Sequence, residues 1–454
     1  MKIIIVGGGK IGETLIENLE GEGHDITVVD RDQKVIDEIS NIYDVMCVCG
    51  NAVDNDTLNE AQVSNAELLI AVTDSDEINM LICFIAKKMG AAYTVARVRN
   101  PEFNDKRMAQ VKQYLDISLT INPELLAALE IFNILKLPAA LNIETFSRRN
   151  FSMIELLLKE GSHLDGMSLI ELRKKYNLNF LISVVKRGDE VYIPDGNFVL
   201  KCGDHICLTA NFTEIQKLLK LLGIAKKQSK SVMILGATTT SYYLAKMLLR
   251  SGSEVTIIDK DIERCNEFAE KLPDAVIING NGAEQEVLLE EGIRSVDAFV
   301  SLTGIDEENI LISFFAQSQN VPRVVAKVNR NELANMAEKL GLDSIVSQKK
   351  AVSNVITRYA RALQNSLGSN VETMYKLMDG AVEALEFNVQ SDFKGQHIPL
   401  KEMKLKKDVL IAGIIRKRKA FVPTGLDEII AGDKIVVIAK SGEEKMNDLS
   451  DILR

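Results

Sequence analysis

The chain has 454 residues, of which 46% are hydrophobic and 26% charged, and a net charge of −10. This length exceeds the size at which a single hydrophobic core stops growing, so several domains are expected. The acidic balance argues against nucleic-acid binding, and no run approaches the roughly 18 apolar residues that a membrane span needs. The sequence predicts neither a signal peptide nor a channel of its own.

Apolar strands alternate with amphipathic helices over residues 1–122, starting with the strand Lys2–Val6. This pattern indicates an α/β fold, a Rossmann-like parallel sheet covered by helices on both faces. Pro123 opens a crossover helix predicted for 123–137, and Pro138 stops it. Short alternating strands follow, so residues 138–225 are predicted to form a small α+β domain.

The chain repeats itself with a period of about 229 residues. Ile3–Gly7 recurs as Val232–Gly236, and Val28–Asp30 recurs as Ile257–Asp259. A period this long indicates duplication of a whole module. We therefore predict a second Rossmann-like domain at 230–348, a crossover helix at 349–368 and a second small domain at 369–454. The apolar stripes of the crossover helices suit either pairing of the two lobes or core packing within one subunit.

The first turn carries the spacing G-x-G-x-x-G between a strand and a helix, in the residues Gly7, Gly8, Gly9, Lys10, Ile11 and Gly12. Gly7 permits the tight turn, Gly9 lets a pyrophosphate approach the backbone, and Gly12 allows the helix to pack on the sheet. Asp30 ends the second strand, where a carboxylate accepts ribose hydroxyls and repels a 2′-phosphate. The pattern predicts binding of NAD(H) or a plain adenosine nucleotide.

Further residues at the strand ends are candidate ligand contacts, because ligands of such sheets bind beyond the carboxyl ends of the strands. They are Arg31, Asn51, Ala52, Thr73, Asp74 and Arg97. Asn51 and Thr73 offer hydrogen bonds to ribose or nicotinamide, with turn and cap roles as the alternative. Arg97 is a candidate phosphate contact, with a surface ion pair as the alternative.

The second turn keeps only the first glycine of the motif. Its residues are Gly236, Ala237, Thr238, Thr239, Thr240 and Ser241. Thr238 stands in the place of Gly9 and is expected to crowd the phosphate approach. Equivalent candidates persist at the strand ends, namely Asp259, Asn281, Thr303 and Lys327. The site either takes a smaller nucleotide such as ATP or ADP, or it is vestigial.

No pattern of catalytic groups accompanies these turns. The four histidines lie in turn or strand contexts, and no Ser–His–Asp or H-E-x-x-H arrangement occurs. Cys47 and Cys49 alternate on one strand and are interpreted as buried free thiols, with a metal pair as the less favoured alternative. The basic run Arg416–Lys419 is interpreted as a solvated hairpin. A nucleotide sensor is favoured over an enzyme.

The ordered motifs resemble the RCK/KTN regulatory domains of potassium transport. The resemblance rests on Met1–Gly12, Val29-Asp30, Gly50–Ala52, Ala71–Asp74 and Ala96–Pro101. Two such domains in tandem resemble the peripheral NAD-binding subunits of Trk-type potassium uptake. The resemblance implies NAD(H), ATP or ADP as effectors, a homotetrameric ring, and a cytoplasmic protein docked on an integral-membrane potassium-translocating subunit. It also implies small domains that bind cyclic di-AMP in some relatives.

Two other functions remain open from the residues alone. One is an NAD-dependent oxidoreductase with an unrecognised active site, and the other is a purely structural assembly protein.

Overall fold

A computed structural model gives the fold of two repeated modules. It describes residues 1–100, 113–136, 142–146, 151–158, 161–176, 179–188, 190–221, 229–342, 344–366, 371–378, 381–417, 419–441, 446 and 448–454. The chain divides into two compact units. One contains 1–135 and 229–357, and the other contains 136–228 and 358–454.

The first lobe is a six-stranded parallel sheet with strand order β3-β2-β1-β4-β5-β6. Its elements are β1 (Lys2–Val6), α1 (Lys10–Glu20), β2 (Asp25–Asp30), α2 (Gln33–Ile42), β3 (Met46–Cys49), α3 (Asn55–Glu60), β4 (Leu68–Ala71), α4 (Asp76–Met89), β5 (Tyr93–Arg97) and β6 (Leu119–Ile121). The central strands are buried throughout, which is why they are continuous apolar runs. Asp32 and Ser75 accept backbone N–H bonds as the N-caps of α2 and α4.

After the crossover helix α5 (Pro123–Lys136), the small domain of the first module is an antiparallel sheet with order β10-β9-β11-β8-β7. Its elements are β7 (Asn142–Phe146), β8 (Phe151–Leu157), α6 (Leu169–Tyr176), β9 (Phe180–Arg187), β10 (Glu190–Tyr192), β11 (His205–Asn211) and α7 (Phe212–Leu221). One sheet face packs against α6 and α7 through Leu172, Ile215 and Leu218.

The second lobe repeats the topology, with order β14-β13-β12-β15-β16-β17. Its elements are β12 (Ser231–Leu235), α8 (Thr239–Arg250), β13 (Glu254–Asp259), α9 (Ile262–Lys271), β14 (Val276–Asn279), α10 (Gln285–Glu290), β15 (Ala298–Ser301), α11 (Asp306–Ser318), β16 (Val324–Lys327), α12 (Asn331–Lys339), β17 (Ile345–Val346) and the crossover helix α13 (Gln348–Ser366). One face of its sheet packs on α10, α11 and α12, and the other packs on α8 and α9.

The crossover helix of the first module completes the core of the second lobe. Ala127, Ala128 and Ile131 of α5 are fully buried against β12, β13 and α8. In the opposite direction, Asn18 Nδ2 on α1 donates to Ser353 Oγ near the start of α13, at 2.7 Å. The apolar stripe of α5 therefore pairs the two lobes and, at the same time, packs a core within one chain.

The second small domain has strand order β18-β19-β22-β20-β21. Its strands are β18 (Val371–Leu377), β19 (Val382–Asn388), β20 (Val409–Arg416), β21 (Lys419–Phe421) and β22 (Lys434–Lys440). Its inner face and that of the first small domain share one core, which includes Phe151, Cys207 and Val436. A Cβ on Gly413 would lie 2.3 Å from the Phe151 ring, so glycine is required for this close approach.

Two sequence predictions are wrong in detail. Cys47 is half-buried and Cys49 is exposed, because β3 is an edge strand of its sheet. Arg416 and Lys419 do pair across the predicted hairpin of β20 and β21, but the Arg416 guanidinium is not merely solvated, since it forms a two-bond pair with the buried Asp433. Among the described residues, no group of His, Cys, Asp or Glu is arranged to hold a metal ion. Within the same residues, no helix has both the length and the apolar character to cross a membrane.

Candidate nucleotide-binding site

The three motif glycines of the first turn have different physical roles. Gly7 has φ +102°, and a Cβ there would lie 3.1 Å from the backbone of Val72 and Thr73. A Cβ on Gly12 would lie 2.0 Å from the carbonyl oxygen of Gly7, so α1 can approach β1 this closely only with glycine. Around Gly9 no atom lies within 4 Å of such a Cβ. The turn therefore holds open space beside Gly9.

That open space lies at the start of α1, where backbone donors are free. Gly9 is the N-cap of the helix and provides no side-chain cap. The N–H groups of a first helical turn have no partner within the helix and carry a partial positive charge. A phosphate group fits both the space and the donors.

Asp30 is held at the end of β2 by backbone bonds from both sides. Its Oδ2 accepts from the Gly8 N–H at 2.7 Å, and its Oδ1 accepts from the Asp32 N–H at 2.9 Å. The carboxylate is half-buried and keeps lone pairs free on both oxygens. It is thus oriented beside the glycine turn, as ribose recognition requires.

The ends of β4 and β5 are tied together by Asn79, which is fully buried. Its Oδ1 accepts from the Thr73 N–H at 2.8 Å and from the Thr73 hydroxyl at 2.6 Å, and its Nδ2 donates to the carbonyl of Arg97 at 3.0 Å. Thr73 therefore has the structural role that the sequence left as an alternative. Asn309 makes the same bonds to Thr303 and Lys327 in the second lobe.

Arg97 is nine-tenths buried, so it is not a surface ion pair. Its Nη1 donates to the Val72 carbonyl at 3.3 Å and lies 3.9 Å from Asp74 Oδ1, while its buried Nε has no hydrogen-bond partner. Burial, and then the like charge of Arg99, lower the pKa of the Arg97 guanidinium from its ordinary value. Arg97 is thus a desolvated cation at the site with unused donor capacity.

A cavity of about 680 Å³ brings part of the predicted site together. Gly9, Lys10, Ile11, Asp74 and Arg97 line it from the first lobe. The predicted first-lobe residues that do not line it are Gly7, Gly8, Gly12, Asp30, Arg31, Asn51, Ala52 and Thr73. Asn51 is exposed and its Oδ1 accepts from the Val53 N–H at 3.2 Å, which is a turn role.

The opposite wall of this cavity comes from the second lobe, which sequence reasoning missed. It consists of Gly304, Ile305, Asp306, Glu307, Asn329, Arg330, Gln348 and Lys349. Arg330 is paired with Glu307 and with Asp306. The only signal for these residues in the sequence was the repeat itself, since they follow the second-lobe counterparts of Thr73 and Arg97 or begin the second crossover helix.

The second turn is built differently. The Oγ1 of Thr238 accepts from the Ser241 N–H at 3.3 Å, so it caps α8 with its own side chain. Its φ is −104°, an ordinary extended value without strain. The hydroxyl of Ser241 donates to the carbonyl of Gly236, the counterpart of the oxygen that a Cβ on Gly12 would strike. The Ser241 N–H is thus occupied by the Thr238 side chain, whereas the first turn has no side-chain cap.

The remaining second-lobe candidates keep the geometry of their counterparts. Asp259 accepts from the Ala237 N–H at 2.6 Å and from the Asp261 N–H at 2.8 Å. Asn281 accepts from Ala283 N–H in a turn, and Thr240 accepts from Gln348 Nε2 at 2.9 Å. Lys327 is buried, and that burial lowers the pKa of its ammonium, although the carboxylates of Asp306 and Glu124 lie nearby. Thr239 is half-exposed.

Two domain models match this chain in alternation and cover most of it. The TrkA-N domain matches residues 3–123 and 232–348, and the TrkA-C domain matches residues 153–223 and 386–450. The chain therefore belongs to the TrkA family, in which two TrkA-N and two TrkA-C domains follow one another in tandem.

Relatives support the same assignment over the full length. The chain is 31% identical to the Trk system potassium uptake protein TrkA homolog of Archaeoglobus fulgidus, over 99% of this chain and 100% of that protein. It is 29% identical to TrkA of Vibrio alginolyticus, over 96% and 93%. The GsuK channel shares the fold, with a TM-score of 0.64 at 18% identity over 97% of this chain and 77% of that one.

Proposed function

We propose that this protein is a regulatory subunit of a Trk-type potassium uptake system that binds NAD(H) or ATP and ADP at its first lobe. The observation that carries the proposal is the uncapped start of α1, with open space at Gly9 beside the oriented carboxylate of Asp30. A dinucleotide or nucleoside polyphosphate suits this arrangement, because it brings both a phosphate chain and a ribose diol. The GsuK channel, which shares the fold, has been solved bound to NAD and to ADP.

The second lobe contributes to the same proposed site. Arg330 and Lys349 face the first turn across the cavity, and Arg97 has a donor to spare. A ligand that reaches both walls binds one arrangement of the lobes better than another. It shifts the equilibrium between them by that difference in affinity, typically about 1–3 kcal/mol. This is the form of control that a regulatory subunit needs.

We further propose that the protein assembles into a homotetramer and docks on an integral-membrane potassium-translocating subunit at the inner face of the membrane. Full-length similarity to TrkA proteins supports this assembly. Exposed apolar residues on the lobes support self-association, among them Leu81 on α4 and Leu311 on α11. Asp306 and Glu307, which line the cavity, are paired with Arg330, and this pairing gives no support to the alternative of an NAD-dependent oxidoreductase.

The test is calorimetric titration of the full chain with NADH, NAD, ATP and ADP, together with assays for hydride transfer. Binding without turnover, weakened at least tenfold in Asp30→Ala, is the expected result. Asp54→Ala is the matched control, since Asp54 is an exposed carboxylate that follows β3 and, unlike Asp30, accepts no bond from the glycine turn. No binding of any of the four compounds, or turnover with any acceptor, would overturn the proposal.

A further inference from the structure

The second lobe has a groove between α8 and α9 that begins at the second turn, where Thr238 and Thr239 line it, and that the proposed first-lobe site does not use. We call it the α8–α9 groove, formed by Tyr242, Lys246 and Arg250 on α8 and by Arg264, Phe268 and Lys271 on α9. It encloses a cavity of about 1170 Å³ that extends from Thr238 along the side of α8. Ligand sites usually measure about 300–1,000 Å³, so the space is ample for a small molecule.

The groove is strongly basic in an acidic protein. Four cations line it, from Lys246, Arg250, Arg264 and Lys271, against the single carboxylate of Glu267. Lys271 Nζ lies 2.6 Å from Glu267, and Arg264 Nε lies 3.5 Å from Asp261. Lys246 and Arg250 have no carboxylate partner among the described residues. The chain as a whole carries a charge of −10, so this concentration of positive charge is local.

An aromatic wall accompanies the cations. The rings of Tyr242 and Phe268 lie 6.4 Å apart at 80° to each other. The ammonium of Lys246 lies 5.3 Å from the Tyr242 ring centroid and 3.3 Å from its hydroxyl. Phe268 is buried, and Tyr242 is half-buried, so part of the tyrosine side chain is exposed in the groove that it lines.

The fold itself does not require these residues. At the same positions of the first lobe, 229 residues earlier, stand Glu13, Glu17, Gly21, Val35 and Ile42. The corresponding face of α1 is therefore acidic. The pKa of Tyr43 is raised from its ordinary value chiefly by burial and further by the carboxylates of this face. The two lobes share a topology but carry opposite charges on this face.

We propose that the α8–α9 groove binds a phosphorylated compound with a planar ring, of the nucleotide class. Lys246 and Arg250 hold the phosphate chain, and Tyr242 stacks on the ring. The ligand lies alongside α8 rather than over the second turn, because Thr238 already caps the helix start. This inference does not rest on the function proposed for the first lobe.

The experiment uses the full chain carrying Gly9→Asp, which places a carboxylate where a first-site phosphate would bind. Titration calorimetry with ATP and with sodium tripolyphosphate should still show one site per chain. Adding Lys246→Glu and Arg250→Glu should weaken both ligands about 100-fold, at roughly tenfold for each cation removed. The control pair Lys394→Glu and Lys401→Glu makes the same change of charge on exposed residues of the second small domain and should change affinity less than twofold.

Tyr242→Ala then separates the ring from the phosphates. It should weaken ATP about fivefold to tenfold and leave tripolyphosphate unchanged. If ATP and tripolyphosphate bind with equal affinity before and after this substitution, the proposal that the ligand carries a ring is overturned. Absence of binding in Gly9→Asp, or equal losses in the control pair, would overturn the groove site and leave the first-lobe proposal standing. Binding in the groove without binding at the first turn would support the groove site and overturn the first-lobe proposal.

Discussion

Single residues of the first turn divide into those that serve the fold and those that serve the ligand. We expect Gly12→Ala to destabilise the protein by about 1–3 kcal/mol, because its Cβ strikes the Gly7 carbonyl.

Gly9→Asp should leave the free energy of unfolding within about 0.5 kcal/mol of the wild type, because the space around its Cβ is open and its φ is −67°. The same change should weaken NADH at least 100-fold. Urea unfolding measures the stability of each variant, and calorimetry measures its affinity for NADH. A Gly9→Asp variant that binds NADH as tightly as the wild type would contradict the site.

A second residue-scale feature is the pair of the half-buried Arg187 and the buried Asp204 in the first small domain. Arg187 Nε donates to Asp204 Oδ1 at 2.7 Å, and the Asp204 side chain is fully buried. Arg416 and Asp433 repeat this pair in the second small domain. Burial acts to raise the pKa of Asp204, but the bonds from Arg187 and the Lys201 N–H outweigh it, so the pKa lies below its ordinary value.

Because the folded pKa of Asp204 is lowered, its contribution to stability is complete above the unfolded value of about 3.9 and is lost as the pH falls through the folded pKa. Asp204→Asn should therefore cost about 1–3 kcal/mol at pH 7, because Arg187 and the Lys201 N–H lose a charged acceptor. The difference between wild type and variant should shrink below about pH 4. Chemical unfolding from pH 3 to 7 measures it, with the exposed Asp195→Asn as control. A pH-independent difference would contradict the ionised pair.

At the scale of residues, the sequence was informative where a local motif sets the geometry. The glycine spacing and Asp30 predicted the turn and its carboxylate, since both belong to one βαβ unit. The pairing of Arg187 with Asp204 could not be predicted. Asp204 lies just before β11, and its partner on β9 depends on the folded strand order β9-β11. For the same reason, the burial of Arg97 was not visible.

Among the helices, the difference between α1 and α8 lies in their caps. Thr238→Ala removes the bond from the Ser241 N–H and should destabilise the protein by about 1 kcal/mol. Thr239→Ala, one residue further on, makes the same chemical change without removing the N-cap and serves as the control. Urea denaturation of both variants measures the difference. Equal effects would show that the Thr238 hydroxyl is not the cap.

The sequence predicted loss of the phosphate approach at Thr238 but not this replacement bond. A threonine in place of glycine is visible in the chain, whereas its hydroxyl bond depends on the turn's actual backbone. The bounds of short helices are also hard to predict from the sequence. Helices α3 and α12 have only six and nine residues, so their apolar periodicity is too brief to stand out.

At the scale of the whole molecule, the crossover helix α5 belongs by sequence to one module and by packing to the next lobe. Its apolar stripe could not reveal which lobe it covers. Ile131→Ala should cost about 2–5 kcal/mol, because the side chain is fully buried in the core of the second lobe. Hydrogen exchange should rise in β12 and β13 more than in β1. Leu129→Ala, at an exposed position of α5, is the control, and faster exchange confined to the first lobe would contradict this packing.

The second lobe also carries an apolar surface. Ile305, Leu311, Met336 and Leu340 lie on or beside α11 and α12 and are between 53% and 68% exposed. Leu81 on α4, at the position equivalent to Leu311, is 40% exposed in the first lobe. Contiguous exposed apolar residues usually mark an interaction site. The recurrence of Leu311 as Leu81 suits an assembly in which both modules take part.

Leu311→Asp should therefore break the proposed homotetramer into smaller species. A carboxylate at the centre of an apolar contact loses its hydration without gaining a partner, so association should weaken at least 100-fold. Leu426→Asp is the matched control, because Leu426 is 73% exposed in the second small domain. Sedimentation velocity across a concentration series measures both variants. If Leu311→Asp sediments as the wild type does while remaining folded, this surface does not hold the assembly together, and another face of the lobes must do so.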